Sequence, residues 1–159
     1  MPKSLFIDPQ AVRAPGSITF PVIPVNQYQK TVADEKANFT KGEFLNIYRD
    51  MCYIREFETM LNLIKTTGEY QGTAYNHPGP AHLGIGQEAA YVGAAYHLTP
   101  DDYTFGSHRS HGEILAKGLR SIEVMEEEAL QKVMEEFFGG KTYGVVKDGT
   151  KSIREQGVD

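Results

Sequence analysis

YTFGSHRSHGEILAKG, residues 103–118, is the stretch from which the fold can be read. Tyr103 to Phe105 are aromatic and β-branched and run into Gly106, which predicts a short strand ending in a glycine turn. A helix is expected from about Ser110 to Gly118. Strand followed by helix makes one α/β unit, and the chain is expected to be α/β, mostly helical, with its strand near 103–105. His108, Arg109 and His111 crowd the helix mouth, where backbone amides already carry partial positive charge and acidic side chains would stabilise. A bound phosphate would reverse that conflict, since glycine turn, helix N-terminus and guanidinium fork together cradle an anion. Two blander readings stand beside it: surface histidines with Arg109 paired to a carboxylate, and a metal site at His108 and His111 that has no accompanying ligand set.

Working outward, Thr40 and Glu43 have capping-box spacing and Phe39 and Phe44 that of a hydrophobic staple, so a helix should begin at Thr40. Phe44, Ile47, Tyr48, Met51, Ile54, Phe57, Leu61 and Ile64 then recur at three- and four-residue steps until Gly68, giving a helix roughly 40 Å long. Gly68 to Pro80, GEYQGTAYNHPGP, is rich in turn residues and should border a site. In the next segment Ala89, Ala90, Gly93, Ala94 and Ala95 make a small-residue face that should be buried. Another helix is expected from Ser121 to Phe138, stopped at Gly139 and Gly140.

Three regions follow. Residues 1–38, with five prolines, read as an extended arm whose apolar stretch SITFPVIPV needs cover. Residues 39–138 form the helical domain. Residues 139–159 read as an irregular tail, continuing into a remainder beyond this sequence.

A net charge of −5 without a Lys/Arg stripe argues against a nucleic-acid partner. No run approaches the ~20 apolar residues of a membrane-spanning helix. The start MPKSLFIDPQAV has no secretory character, so a cytoplasmic location is the expectation. The single cysteine, Cys52, reads as a buried structural thiol.

Taken together, IYRDMCYIREFETML (47–61), HLGIGQEAAYVGAAYHLTPDDY (82–103) and FGSHRSHGEILAKGL (105–119) resemble the start of the alpha subunit of the thiamine-diphosphate-dependent pyruvate, acetoin and branched-chain 2-oxo acid dehydrogenases. The resemblance implies the N-terminal part of a thiamine-diphosphate-binding fold. It also implies that Arg109 and His108 contact the cofactor phosphates, that His111 and Gly112 continue the motif, and that His82 faces the active site as a catalytic imidazole. A lone His beside Leu83 could equally be a satisfied core residue. Gln87 and Glu88 match a family signature, and capping or helix packing would explain them as well.

One departure is large. The family holds magnesium with a Gly-Asp-Gly segment and a later Asn, and this chain has only KDGT at 147–150. The resemblance therefore implies a chain inactive alone. It would work in a heterotetramer with a beta subunit and a second alpha subunit, or with the missing remainder of its own chain. That enzyme decarboxylates a small 2-oxo acid and passes the acyl group to a lipoyl carrier. The alternative is a non-enzymatic helical partner or regulatory module derived from that family.

Overall fold

The computed structural model describes residues 8–17, 22 and 27–159. They fall in two compact units, residues 1–35 and 36–159. The expected cover for SITFPVIPV lies outside the described residues, apart from Ser17 and Val22. In the first unit the arm is not wholly extended, since it carries helices α1 (Pro9–Arg13) and α2 (Val32–Glu35). Proline at the first helical position removes only an N–H that would have been orphaned, and Asp8 accepts from the Gln10 amide at 2.9 Å. Thr31 and Asp34 fasten α2 in the same way, at 2.7 Å.

The second unit opens with α3 (Lys41–Thr67), and both of its ends are as the sequence predicts. Thr40 and Glu43 exchange capping hydrogen bonds, and Gly68 closes the helix in the left-handed conformation. Phe39 packs on Phe44 with ring centroids 5.5 Å apart. The hydrogen bonds from Thr40 hold the Glu43 carboxyl down at about 2. After the helix, β1 (Glu69–Tyr70) and β2 (Thr73–Ala74) pair antiparallel across Gln71 and Gly72, both with positive φ as a two-residue hairpin demands.

Helices α4 (Glu88–Ala95) and α5 (His111–Val124) pack on α3 and on each other. Ile54, Tyr91, Val92, Ala95 and Ala116 form the core between them, with Ile47, Met51 and Leu115 at its edge. Beyond lie α6 (Glu127–Glu136), a kinked turn at Phe137–Gly140, α7 (Lys141–Val146) and α8 (Ile153–Val158). Leu130 and Tyr143 are buried there.

Several expectations are corrected. No strand forms at 103–105, and Tyr103 and Phe105 are 87% and 94% exposed. A strand needs a neighbour to satisfy its backbone, and the only ladder among the described residues is the β1–β2 hairpin. The tail is not irregular, because Ser152 and Glu155 build a second capping box for α8. Helix α5 continues past Gly118 to Val124, and extended backbone at Met125 and Glu126 separates it from α6. Cys52 is exposed. Of the small residues of α4, Ala95 is buried, whereas Ala89, Ala90, Gly93 and Ala94 are exposed because the larger Tyr91 and Val92 turn toward the core.

Ile54 is 0% exposed at the centre of the three-helix core, whereas Leu45 on the same helix is 56% exposed. Ile54→Ala should lower the unfolding free energy by roughly 2–5 kcal/mol through lost burial and the cavity left behind. Leu45→Ala should change it by less than about 0.5 kcal/mol. Urea unfolding followed by circular dichroism checks both, and equal effects would contradict this core assignment.

Candidate functional site

Three chain segments converge where the sequence places its anion site: the middle of α3, the loop before α4, and the turn leading into α5. The loop is tied to α3 by Lys65, whose ammonium donates to the carbonyls of His77 at 3.1 Å and Gly79 at 2.5 Å. Its last residues turn tightly, with the Gln87 amide bonded to the Gly84 carbonyl at 3.0 Å. Two glycines permit this approach. A Cβ on Gly84 would stand 2.6 Å from the Tyr91 hydroxyl, and one on Gly112 would stand 2.3 Å from the Tyr91 ring. Neither separation can be occupied, so loop and α5 can close on Tyr91 only with hydrogen at both positions.

All four residues singled out from sequence meet here. His82 and His108 pack edge to face, ring centroids 4.7 Å apart, and both are exposed. Arg109 donates from Nε to the Leu83 carbonyl at 3.2 Å, while its Nη1 lies 3.2 Å from His108 Nε2. A guanidinium only donates, so that nitrogen of His108 accepts. The remainder of the Arg109 fork faces solvent. Ser110, the N-cap of α5, contributes no side-chain cap, and Gly106 packs close to Ser110 and to the Glu113 carboxylate of the first turn.

His111 sits deeper. Its Nε2 is 3.0 Å from the His82 carbonyl, and its Nδ1 is 2.6 Å from Oε1 of Glu58. Glu58 is 0% exposed, and its Oε2 accepts from the Gly84 amide at 2.8 Å. Sequence reasoning missed Glu58. The signal was present, because Glu58 stands four residues after Ile54 and three before Leu61, a carboxylate inside the apolar stripe.

A second buried carboxylate shapes the same loop. Glu88 is 4% exposed, receives the Gly86 amide on both oxygens at 3.1 Å, and pairs with Arg55 Nε at 2.6 Å. Arg55 holds its carboxyl down at about 2 against the opposing effect of burial, with the Gly86 amide helping. Gln87 accepts from the Tyr91 hydroxyl at 2.8 Å. Burial, reinforced by the charges of Glu113 and Glu58, pushes the Tyr91 hydroxyl up. Among the described residues no three His, Cys, Asp or Glu side chains gather closely enough to hold a metal ion.

A sequence model of the family described as Dehydrogenase E1 component matches residues 58–155. The alpha subunit of acetoin:2,6-dichlorophenolindophenol oxidoreductase from Cupriavidus necator is 38% identical over 87 residues, covering 55% of this chain and 24% of that protein. The pyruvate dehydrogenase E1 component subunit alpha of Rhizobium meliloti is 37% identical over 91 residues, covering 57% and 24%. The acetoin oxidoreductase alpha subunit of Bacillus subtilis is 32% identical over 130 residues, covering 82% and 34%. The matched region thus spans a quarter to a third of the length of these relatives. No solved structure matches the chain.

The Arg55–Glu88 pair gives the loop a pH signature. With a folded value of about 2 against an ordinary 4.5, ionised Glu88 stabilises the fold above pH 4.5, and this contribution fades as pH falls toward 2. Arg55→Met should therefore lower the urea midpoint at pH 7, and its gap to the parent chain should narrow by pH 3. A gap that stays constant between the two pH values would contradict the pairing.

Proposed function

Because this chain belongs to the dehydrogenase E1 component family, we propose that residues 82–112 grip the diphosphate end of thiamine diphosphate in a 2-oxo acid dehydrogenase alpha subunit. The observation that carries the reading is the placement of Arg109. A partly free guanidinium fork stands at the uncapped N-terminus of a 14-residue helix, flanked by two exposed imidazoles. A polyanion fits there, since it would meet the fork, the open amides of the first helical turn and the positive end of the helix dipole.

In this reading Arg109 and His108 hold the phosphates, with Arg109 aimed by its bond to the Leu83 carbonyl. His111 belongs to the same cradle without reaching the ligand directly. His82 presents its imidazole from the loop beside them, where it can take or give a proton. The cofactor supplies the carbon nucleophile that adds to the 2-oxo carbon and the electron sink for the carbon dioxide that leaves. The family's magnesium does not fit the described residues, and no step is assigned to it.

The activity is oxidative decarboxylation of a small 2-oxo acid, or the corresponding reaction of acetoin, with acyl transfer to a lipoyl carrier. The partners are a beta subunit and a second alpha subunit. This chain contributes the phosphate-gripping share of that work and does not turn over substrate by itself.

Inorganic diphosphate should raise the melting temperature by an amount that grows with its concentration, because it binds the folded state only. Arg109→Ala should abolish the gain. Lys132→Ala should keep it, since Lys132 is exposed on α6 and only 3.9 Å-paired to Glu136. The three melts are compared at fixed ionic strength, which holds general screening constant. Equal stabilisation of all three proteins would mean that diphosphate acts through charge at large, and the reading would fail.

A further inference from the structure

Glu58 has no surface from which to touch a ligand, yet it is fully buried among the segments that form the grip. Its two oxygens face different segments. Oε2 accepts the Gly84 amide at 2.8 Å, and Oε1 stands 2.6 Å from Nδ1 of His111. The latter contact is close but poorly aligned as a hydrogen bond, and neither atom has another partner among the described residues.

Counting protons decides what this contact is. The His82 carbonyl can only accept, so the hydrogen on His111 Nε2 is fixed by the 3.0 Å contact between them. A neutral imidazole would then turn the lone pair of Nδ1 toward a carboxylate oxygen 2.6 Å away. Such a pair would be repulsive and would leave a net negative charge at a site with no exposure. One more proton removes both costs. It belongs on the imidazole rather than the carboxyl, because the Gly84 amide already donates to the carboxylate and so favours its ionised form.

The consequence is mechanical. Three successive loop residues are pinned by their backbones: His82 through its carbonyl to His111, Leu83 through its carbonyl to Arg109, and Gly84 through its amide to Glu58. Both nitrogens of His111 are occupied by protein groups, so His111 acts from behind the site.

We propose that Glu58 is a positioning residue that holds His111 as an imidazolium, and that this ion pair fixes the loop at 82–84 and sets His82 and Arg109 in place. The proposal rests on the reading of residues 82–112 as a diphosphate grip. It adds to that grip a partly buried positive charge one helical position beyond Ser110. Tyr91 on α4 stands with Glu58 beside Gly84, and Glu113 on α5, Glu88 on α4 and Arg109 in the turn are the other charged groups that act on it. His82 lies above the pair on the loop.

The test uses the whole chain labelled with nitrogen-15 in histidine. Long-range proton–nitrogen correlation at neutral pH should show both nitrogens of His111 in the protonated range. Glu58→Gln can still accept from the Gly84 amide and donate to Nδ1, so the fold should persist. In that variant Nδ1 alone should move downfield to the position of a bare imidazole nitrogen, and the diphosphate affinity should weaken several-fold. A bare Nδ1 in the parent chain would overturn the proposal without need of any variant. An unchanged His111 spectrum and unchanged diphosphate affinity in Glu58→Gln would overturn it equally. If the parent chain shows the imidazolium but no diphosphate stabilisation, the grip fails while the ion pair stands, so the two failures are told apart.

Discussion

A carboxylate with no exposure to water must be neutralised where it stands, and in this molecule that constraint falls on Glu58. Placed on α3 one turn after Ile54, it cannot reach solvent, so the chain brings partners to it. They come from two distant segments, Gly84 from the loop before α4 and His111 from the start of α5. The small residues at Gly84 and Gly112 follow from the same requirement, because Tyr91 occupies the space that their side chains would need. Removing one partner of such a buried contact leaves the other uncompensated, which costs more than the contact gains over water.

The proposed function follows from what this anchoring leaves on the surface. Once His111 is turned inward to Glu58 and the His82 carbonyl, the groups free to meet a ligand are the rings of His82 and His108 and the outer face of Arg109. They stand at a helix terminus that no side chain caps. An unfavourable local choice for a helix, three basic residues at its N-terminus, becomes favourable when an anion is the missing partner. The Arg55–Glu88 pair performs a parallel task at the end of the loop, holding Gly86 at the start of α4.

Local signals were legible because they depend on neighbours a few residues away. The capping box at Thr40 and Glu43, the Phe39–Phe44 staple and the left-handed Gly68 were all readable, and all are present. So was the gathering of histidines and arginine at the mouth of α5. The strand expected at 103–105 was not decidable locally, since extended backbone becomes a strand only against a partner. The face of α4 was misread because a stripe of small residues says that close packing is possible, not that a neighbour is there. The tail held its own evidence in Ser152 and Glu155, a capping box that low periodicity obscured. Glu58 stayed hidden for a different reason. A glutamate in a helix usually faces water, and its partners are 26 residues or more away in sequence, 26 for Gly84.

Hydrogen exchange at the Gly84 amide tests most directly whether the loop rests on the buried carboxylate. If Glu58 holds it, this amide opens only when α3 itself opens, and its protection should match that of core amides around Ile54. Exchange of the Gly84 amide at the rate of an unprotected loop amide, while Ile54 remains protected, would contradict the account.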